Sequence, residues 1–304
     1  MRWILRFIAI VLLLSVAGLA AFLGPAHLQI RAIEPALPTE AELRALAEVP
    51  AGPVAISITQ SSSQAGPHRT LGHAFVIIEW ANGRRFMIDA AMDQPASEAF
   101  GDLMATMSPS MGPVNYYGSV PDFLGPDLAK VDGVGFTHLH NDHVQGIDAF
   151  CAARGQGARS YQTVTQARQH NLHTRDSAEQ LASSCLEPTV LDGDGLLGVR
   201  DFPGLGIVAL GGHTPGSTLF AVHVDGILWL MSGDISNVKS KLLSNTGKGW
   251  LYSNIIVPEN TARTEELRLW LAALDSQPDT EVIVAHDFAA AMDSGMLPLH
   301  SGRP

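Results

Sequence analysis

The sequence predicts an α/β domain in which two sheets carry helices on their outer faces. Three observations predict it. β-rich runs come first, a helical stretch follows, and the pattern then repeats. Histidines and aspartates stand where apolar strand-like runs end. A chain of 304 residues with 46% hydrophobic side chains can bury a sizeable core.

The elements follow in order. Arg2 and Arg6 flank an uncharged run, 7–23, rich in Leu, Ile, Ala and Val, which Gly24-Pro25 is expected to end. Residues 1–24 read as an export segment outside the fold, with the basic flank on the cytoplasmic side. The apolar stretch from Trp3 is long enough for one bilayer crossing, as a signal anchor requires. Gly18-Leu19-Ala20 offers small residues for cleavage, as a signal peptide requires. Uncleaved, the segment tethers the protein to the membrane facing the periplasm or outside; cleaved, the protein is periplasmic or secreted. Residues 25–53 form a Pro- and Ala-rich spacer with one short helix at 39–48, where Thr39 as N-cap and Glu42 at N3 match a capping box.

Residues 54–304 hold the folded domain. Runs 54–59, 73–80 and 84–90 are β-rich, and Asn82-Gly83 marks a hairpin between the last two. The polar stretch 61–67 is expected to be the turn before them. A short buried strand at 131–137 runs into a histidine cluster, with a helix following at 144–154. Residues 162–184 read as helical, 189–230 mainly as strands with Gly-rich turns, 259–274 as a helix and 281–285 as a final buried strand. Segment 108–120, rich in Pro, Gly, Met and Tyr, is either a lip over the site or a plain surface connection.

The formal charge is −11, and because Arg2 and Arg6 are the only charges in the first 24 residues, the remainder stands at −13. That balance argues against nucleic acid or an anionic membrane surface as a partner. Two cysteines cannot build a disulfide scaffold or a four-thiolate zinc site. In an oxidising compartment Cys151 and Cys185 can close a loop of about 34 residues; two free buried thiols are the alternative.

Metal-type chemistry is densest at Thr137-His138-Leu139-His140-Asn141-Asp142-His143. Residues two apart on an extended segment point the same way, so His138 and His140 can bind one metal, while the following turn brings Asp142 and His143 toward a second. Gly212-His213-Thr214-Pro215-Gly216-Ser217, Ser232-Gly233-Asp234 and Ala285-His286-Asp287 follow, each a strand end with a ligand-type residue among small or turn-forming neighbours.

The HxHxDH cluster, followed in order by GHTPGS, SGD and AHD, resembles the metallo-β-lactamase superfamily over roughly residues 54–290. The resemblance implies an αββα sandwich, two mixed β-sheets flanked by helices, preceded here by an N-terminal hydrophobic helix. It implies two divalent ions per chain, with His138, His140 and His213 holding the first, Asp142, His143 and His286 the second, and Asp234 bridging them. Asp89, in Met87-Ile88-Asp89, matches the family's first motif, an aspartate that supports the site by hydrogen bonding. An imidazole and carboxylate set suits Zn2+ first and also admits iron or manganese. The chemistry implied is attack of a metal-bridging hydroxide on a carbonyl, with Asp142 also able to move a proton to the leaving group.

The substrate expected is a small ester or lactone. A bridging Asp234 points toward lactonases, glyoxalase II-like thioesterases and related esterases rather than β-lactamases, and segment 123–146 is similar to the acyl-homoserine-lactone lactonases. Those lactonases commonly place a tyrosine a few residues after the bridging aspartate, where this chain has Ser236, Asn237, Val238 and Lys239; Tyr116, Tyr117 or Tyr252 are the candidates to replace it in contacting substrate. The superfamily also contains mononuclear-iron persulfide dioxygenases, an oxidoreductase alternative. His170 and His173 read as a solvated helix face, and His27, His68, His73, His223 and His300 have no ligand-type neighbours at useful spacing. The oligomeric state is left open.

Overall fold

The computed structural model describes residues 2–299; His300 lies outside the described residues. Its thirteen strands are β1 Pro53–Ala65, β2 Thr70–Trp80, β3 Arg85–Ile88, β4 Val114–Tyr116, β5 Val131–Gly135, β6 Arg159–Thr163, β7 Glu187–Leu191, β8 Leu197–Val199, β9 Phe202–Ala209, β10 Thr218–Val224, β11 Ile227–Met231, β12 Thr280–Ile283 and β13 Leu297–Pro298. They form two sheets. One runs β13-β1-β2-β3-β5-β6-β7 with β4 paired to β1, and the other runs β12-β11-β10-β9-β8. Both are mixed: β2 and β3 are antiparallel while β3, β5, β6 and β7 are parallel, and β11 pairs parallel with β12 but antiparallel with β10.

Strand alternation sets the layers. On β2, Val76 and Ile78 face inward to meet Phe220, Val222 and Trp229 of the second sheet. Phe75 and Ile77 face outward onto Val120, Leu124, Ile147 and Phe150 of the helices over the first sheet. On β10, Leu219 and Ala221 face outward with Val208 and Leu230 onto Leu267 and Leu271 of the helix Thr261–Asp275. The result is the expected αββα sandwich. Gly133 and Gly135 in β5 make room at its centre, since a side-chain carbon there would come within 2.5 Å of Phe86 and Phe202, or within 2.4 Å of Phe220.

Four local expectations need correction. Residues 61–65 are strand, because β1 continues to Ala65 to pair with both β2 and β4. The buried serines there are satisfied: Ser61 Oγ donates to the His73 carbonyl at 3.2 Å and Ser63 Oγ pairs with Tyr117 Oη at 2.8 Å. Pairing through β4 also holds the middle of segment 108–120 against β1. Residues 162–184 are not one helix; β6 ends at Thr163, and the helices Val164–Arg168 and Arg175–Ala182 are separated by a turn carrying His170 and His173. There Asn171 Oδ1 accepts from the His173 amide at 2.9 Å, competing with a helical ladder. The stretch 144–154 breaks at Gly146, whose Cα packs so close to Ala90 that a Cβ would sit 2.1 Å from its carbonyl oxygen.

The N-terminal helix passes through Gly24-Pro25 and runs Arg2–Arg31. Pro25 removes one backbone donor, yet the last two turns gain tertiary contacts: Leu23, Ala26 and Ile30 are buried, and His27 Nε2 bonds the Asn254 carbonyl at 3.0 Å. The preceding turns are exposed and apolar, with mean hydropathy 2.6 over 18 residues, enough by length and composition to cross a membrane. The capping box forms as expected, Thr39 Oγ1 accepting from the Glu42 amide and Glu42 accepting from the Thr39 amide. Cys151 and Cys185 form a disulfide, with Cα atoms 5.4 Å apart.

Candidate metal centre

Every metal-type motif singled out in the sequence lies at one end of the sandwich. β3 and β5 are parallel and end there, so Asp89 and residues 137–143 follow them; β11 and β12 are parallel and end there too, leading to Asp234 and His286. The loop between β9 and β10 contributes His213, and β2, antiparallel to β3, carries His73 near its start there.

His138, His140 and His213 converge. His138 Nε2 is 3.0 Å from His140 Nδ1, which is 3.3 Å from His213 Nε2. Donor atoms of a tetrahedral zinc site at 2.0–2.1 Å stand about 3.3–3.4 Å apart, so this spacing fits one cation. Burial and the neighbouring imidazoles hold His138 and His140 well below the usual histidine range, which keeps them neutral, the form that binds metal.

A second group forms beside it. Asp142 Oδ2 lies 3.5 Å from His286 Nε2 and 3.8 Å from His143 Nε2. Asp234 stands between the groups: Oδ1 is 3.1 Å from His286 Nε2 and 3.8 Å from His143 Nε2, while Oδ2 is 3.7 Å from His213 Nε2. Among the described residues His143 Nε2 is buried with no hydrogen-bond partner, a costly arrangement unless a cation accepts it. Burial disfavours the carboxylates of Asp142 and Asp234, but the surrounding histidines, with Lys248 beside Asp234, overcome it and hold both below the usual range. A cavity with the carboxylate oxygens of Asp142 and Asp234 and the neutral imidazoles of His138 and His140 aimed inward fits divalent metal.

Outer partners fix the rings. His143 Nδ1 donates to Asp89 Oδ2 at 2.9 Å, and Asp89 also accepts from the Thr137 amide at 2.7 Å and hydroxyl at 2.8 Å. Asp89 adopts φ 60°, turning the chain sharply after β3. Burial lowers the His143 pKa, but Asp89, Asp142 and Asp234 outweigh it and push it up to about 9. His286 Nδ1 donates to the Gly72 carbonyl at 2.7 Å. His213 Nδ1 donates to Glu259 Oε1, whose carboxyl is held down at about 2, against burial, by Lys248 and His213.

Sequence reading missed three of these residues. His73 Nδ1 lies 3.5 Å from Asp142 Oδ2; its place near the start of a strand 65 positions before the cluster carried no signal by spacing. Glu259, read as the start of a helix, and Lys248 became visible only through folding, with Lys248 Nζ 3.2 Å from Glu259 Oε1 and 3.8 Å from Asp234 Oδ2. Of the three tyrosines, Tyr117 is occupied by Ser63, Tyr116 lies in β4, and Tyr252 reaches the site's field. Its ring is 5.3 Å from Lys248 Nζ, and burial together with Asp234 and Glu259 pushes its hydroxyl well above the usual range. His173 turns out to face His140, with ring centroids 6.0 Å apart. A cleft of about 280 Å³ opens beside His286, lined by Arg69, Gly72, Val238 and Phe288 among others.

The family model of the metallo-beta-lactamase superfamily matches residues 69–286. Solved structures share the fold. An AiiA variant from B. thuringiensis, with N-decanoyl-L-homoserine bound at its active site, aligns at TM-score 0.56 and 14% identity over 77% of this chain and 94% of that one. A probable metal-dependent hydrolase from Staphylococcus aureus aligns at 0.55 and 13% over 77% and 90%. The hydrolase AbOPH aligns at 0.54 and 16% over 78% and 90%. A comparison with curated protein sequences gave no match.

Proposed function

The chain belongs to the metallo-beta-lactamase superfamily, and from that premise we propose a metal-dependent hydrolase that holds two divalent ions and opens a lactone or other small ester. The observation that carries this reading is Asp234, with one carboxylate oxygen toward each donor group. His138, His140 and His213 would hold one ion and Asp142, His143 and His286 the other, Asp234 serving both, with zinc preferred and iron or manganese compatible. Bound divalent ions supply Lewis acidity and a nucleophile from water near neutral pH.

The chain's own residues do the rest. Asp89 and Glu259 hold His143 and His213 in the tautomer that leaves Nε2 free. Asp142, whose carboxylate faces His143 and His286 inside the site, is our choice to pass a proton to the leaving oxygen. Tyr252, kept protonated, is our choice to donate to the substrate carbonyl oxygen in place of the tyrosine that is missing after Asp234. The lactone preference draws on the fold shared with the homoserine-binding AiiA structure. The N-terminal helix is assigned as a membrane anchor that leaves the catalytic domain on the outer side.

Metal quantification of the purified protein, followed by assay against lactones, thioesters, aryl esters and a cephalosporin, tests this. Two ions per chain and lactone or ester turnover are expected. Turnover of the cephalosporin alone, or one iron per chain with oxygen consumption, would overturn it.

A further inference from the structure

His73 is buried as the fourth residue of β2, opposite Ser62, beside a register shift in β1 between Gln60 and Ser62. Its ring packs edge-on against Phe100 and His286, with centroids 5.0 and 5.2 Å apart. Among the described residues its Nδ1 is buried and makes no hydrogen bond, although Asp142 Oδ2 lies 3.5 Å away. A buried imidazole nitrogen left in that state costs free energy unless another group accepts it. That same Oδ2 is 3.5 Å from His286 Nε2, and one donor atom each from His73, Asp142 and His286 lie within 4.8 Å of one another. Three separate parts of the fold therefore aim a donor at one point.

We propose that His73 Nδ1 is a further ligand of the second ion, joining Asp142, His143, Asp234 and His286; this rests on the two-ion reading above. The backbone favours it. Gly72, immediately before His73, donates its amide to the His286 carbonyl at 3.3 Å and accepts from His286 Nδ1 at 2.7 Å, so both imidazoles hang from one short backbone segment. Five protein donors of nitrogen and oxygen exceed the four of a closed tetrahedral zinc site and suit an ion that takes five or six ligands. The second position is then the one that discriminates among metals.

The test titrates metal-free full-length protein with Co2+ while following visible absorption, in wild type, His73→Gln and His73→Phe. The first equivalent should bind equally in all three, which also reports that each has folded. The second should bind at least roughly tenfold more weakly in both variants, since losing even an outer-shell partner of a ligand costs that much, and its absorption should intensify as coordination number falls. Wild-type affinity and spectrum for the second equivalent in His73→Gln would overturn the assignment and leave His73 only a hydrogen-bond partner of Asp142. If the variants lose the first site too, X-ray absorption of wild type carrying two ions decides: six imidazoles shared by the pair support the proposal and five overturn it. A wild type that takes up no second ion would sink the two-ion reading itself.

Discussion

Glu259 Oε1 and His213 Nδ1 stand 2.5 Å apart with both side chains buried. The bond fixes the His213 ring so that Nε2 faces His140 and Asp234, and Ser253 Oγ steadies the carboxylate from behind. Glu259→Gln keeps the shape, removes the charge and leaves Lys248 with Asp234 as its nearest carboxylate. Affinity for the first ion should fall by roughly 10- to 100-fold, as for other outer-shell partners of ligating histidines. Chelator competition measures it, and unchanged affinity would contradict the role.

Asp89 accepts three hydrogen bonds, two from Thr137 and one from His143. Asp89→Ala leaves these buried donors unpaired and puts alanine at φ 60°, so a loss of about 2–5 kcal/mol is expected in chemical denaturation. Asp89→Asn tolerates the left-handed backbone and should keep most of the stability while lowering affinity for the ion beside His143. Equal stability of wild type and the alanine variant would refute the account.

Asp142 and His143 belong to the same donor group, so Asp142→Ala and His143→Ala should each lose metal and activity together. Metal content per chain and turnover, measured on the same preparation, check this. Normal turnover at normal metal content in either variant would sink the two-ion model.

Much of this convergence was legible because the ligand-type residues concentrate where strands end. His138, His140, Asp142 and His143 fall within six residues, and His213, Asp234 and His286 each follow an apolar run. His73 and Glu259 were not legible, since each reaches the site through the pairing of β2 or the docking of the loop before helix Thr261–Asp275, which no local pattern encodes. The strand through Ser61–Ser63 was misread for a related reason. Serine runs signal turns when their hydroxyls face water, and these face His73, Ser97 and Tyr117 instead. Periodicity likewise carried no sign that the N-terminal helix would pass Pro25, because what extends it is burial against the domain.

The Cys151–Cys185 disulfide closes a loop of 34 residues. Chain-entropy reasoning gives such a loop about 3–4 kcal/mol of stabilisation, acting mainly on the unfolded chain. Cys151→Ser should lower the unfolding midpoint accordingly, and reductant should lower that of wild type but leave the variant unmoved. A variant as stable as wild type would show that the bond contributes nothing.

The N-terminal helix divides into an exposed part and a docked part. Trp3 to Phe22 presents exposed apolar side chains, with Trp3 84% and Leu13 71% accessible, whereas Leu23, Ala26 and Ile30 are buried against the domain. Beyond the helix, Ile33 is buried, and Arg263 Nη2 donates to the Pro35 carbonyl at 2.6 Å. A chain beginning at residue 23 should therefore leave the membrane fraction while keeping its unfolding midpoint and metal affinity. A chain beginning at residue 36 also loses the burial of Ile30 and Ile33, each worth roughly 1.5–3 kcal/mol at most, and exposes the apolar surface they cover. It should unfold earlier by about 2–5 kcal/mol. Fractionation and denaturation of the two truncations against the full chain separate the roles. Equal stability of both truncations would show that residues 23–35 are only a tether, and a full chain recovered entirely in the soluble fraction would remove the anchor.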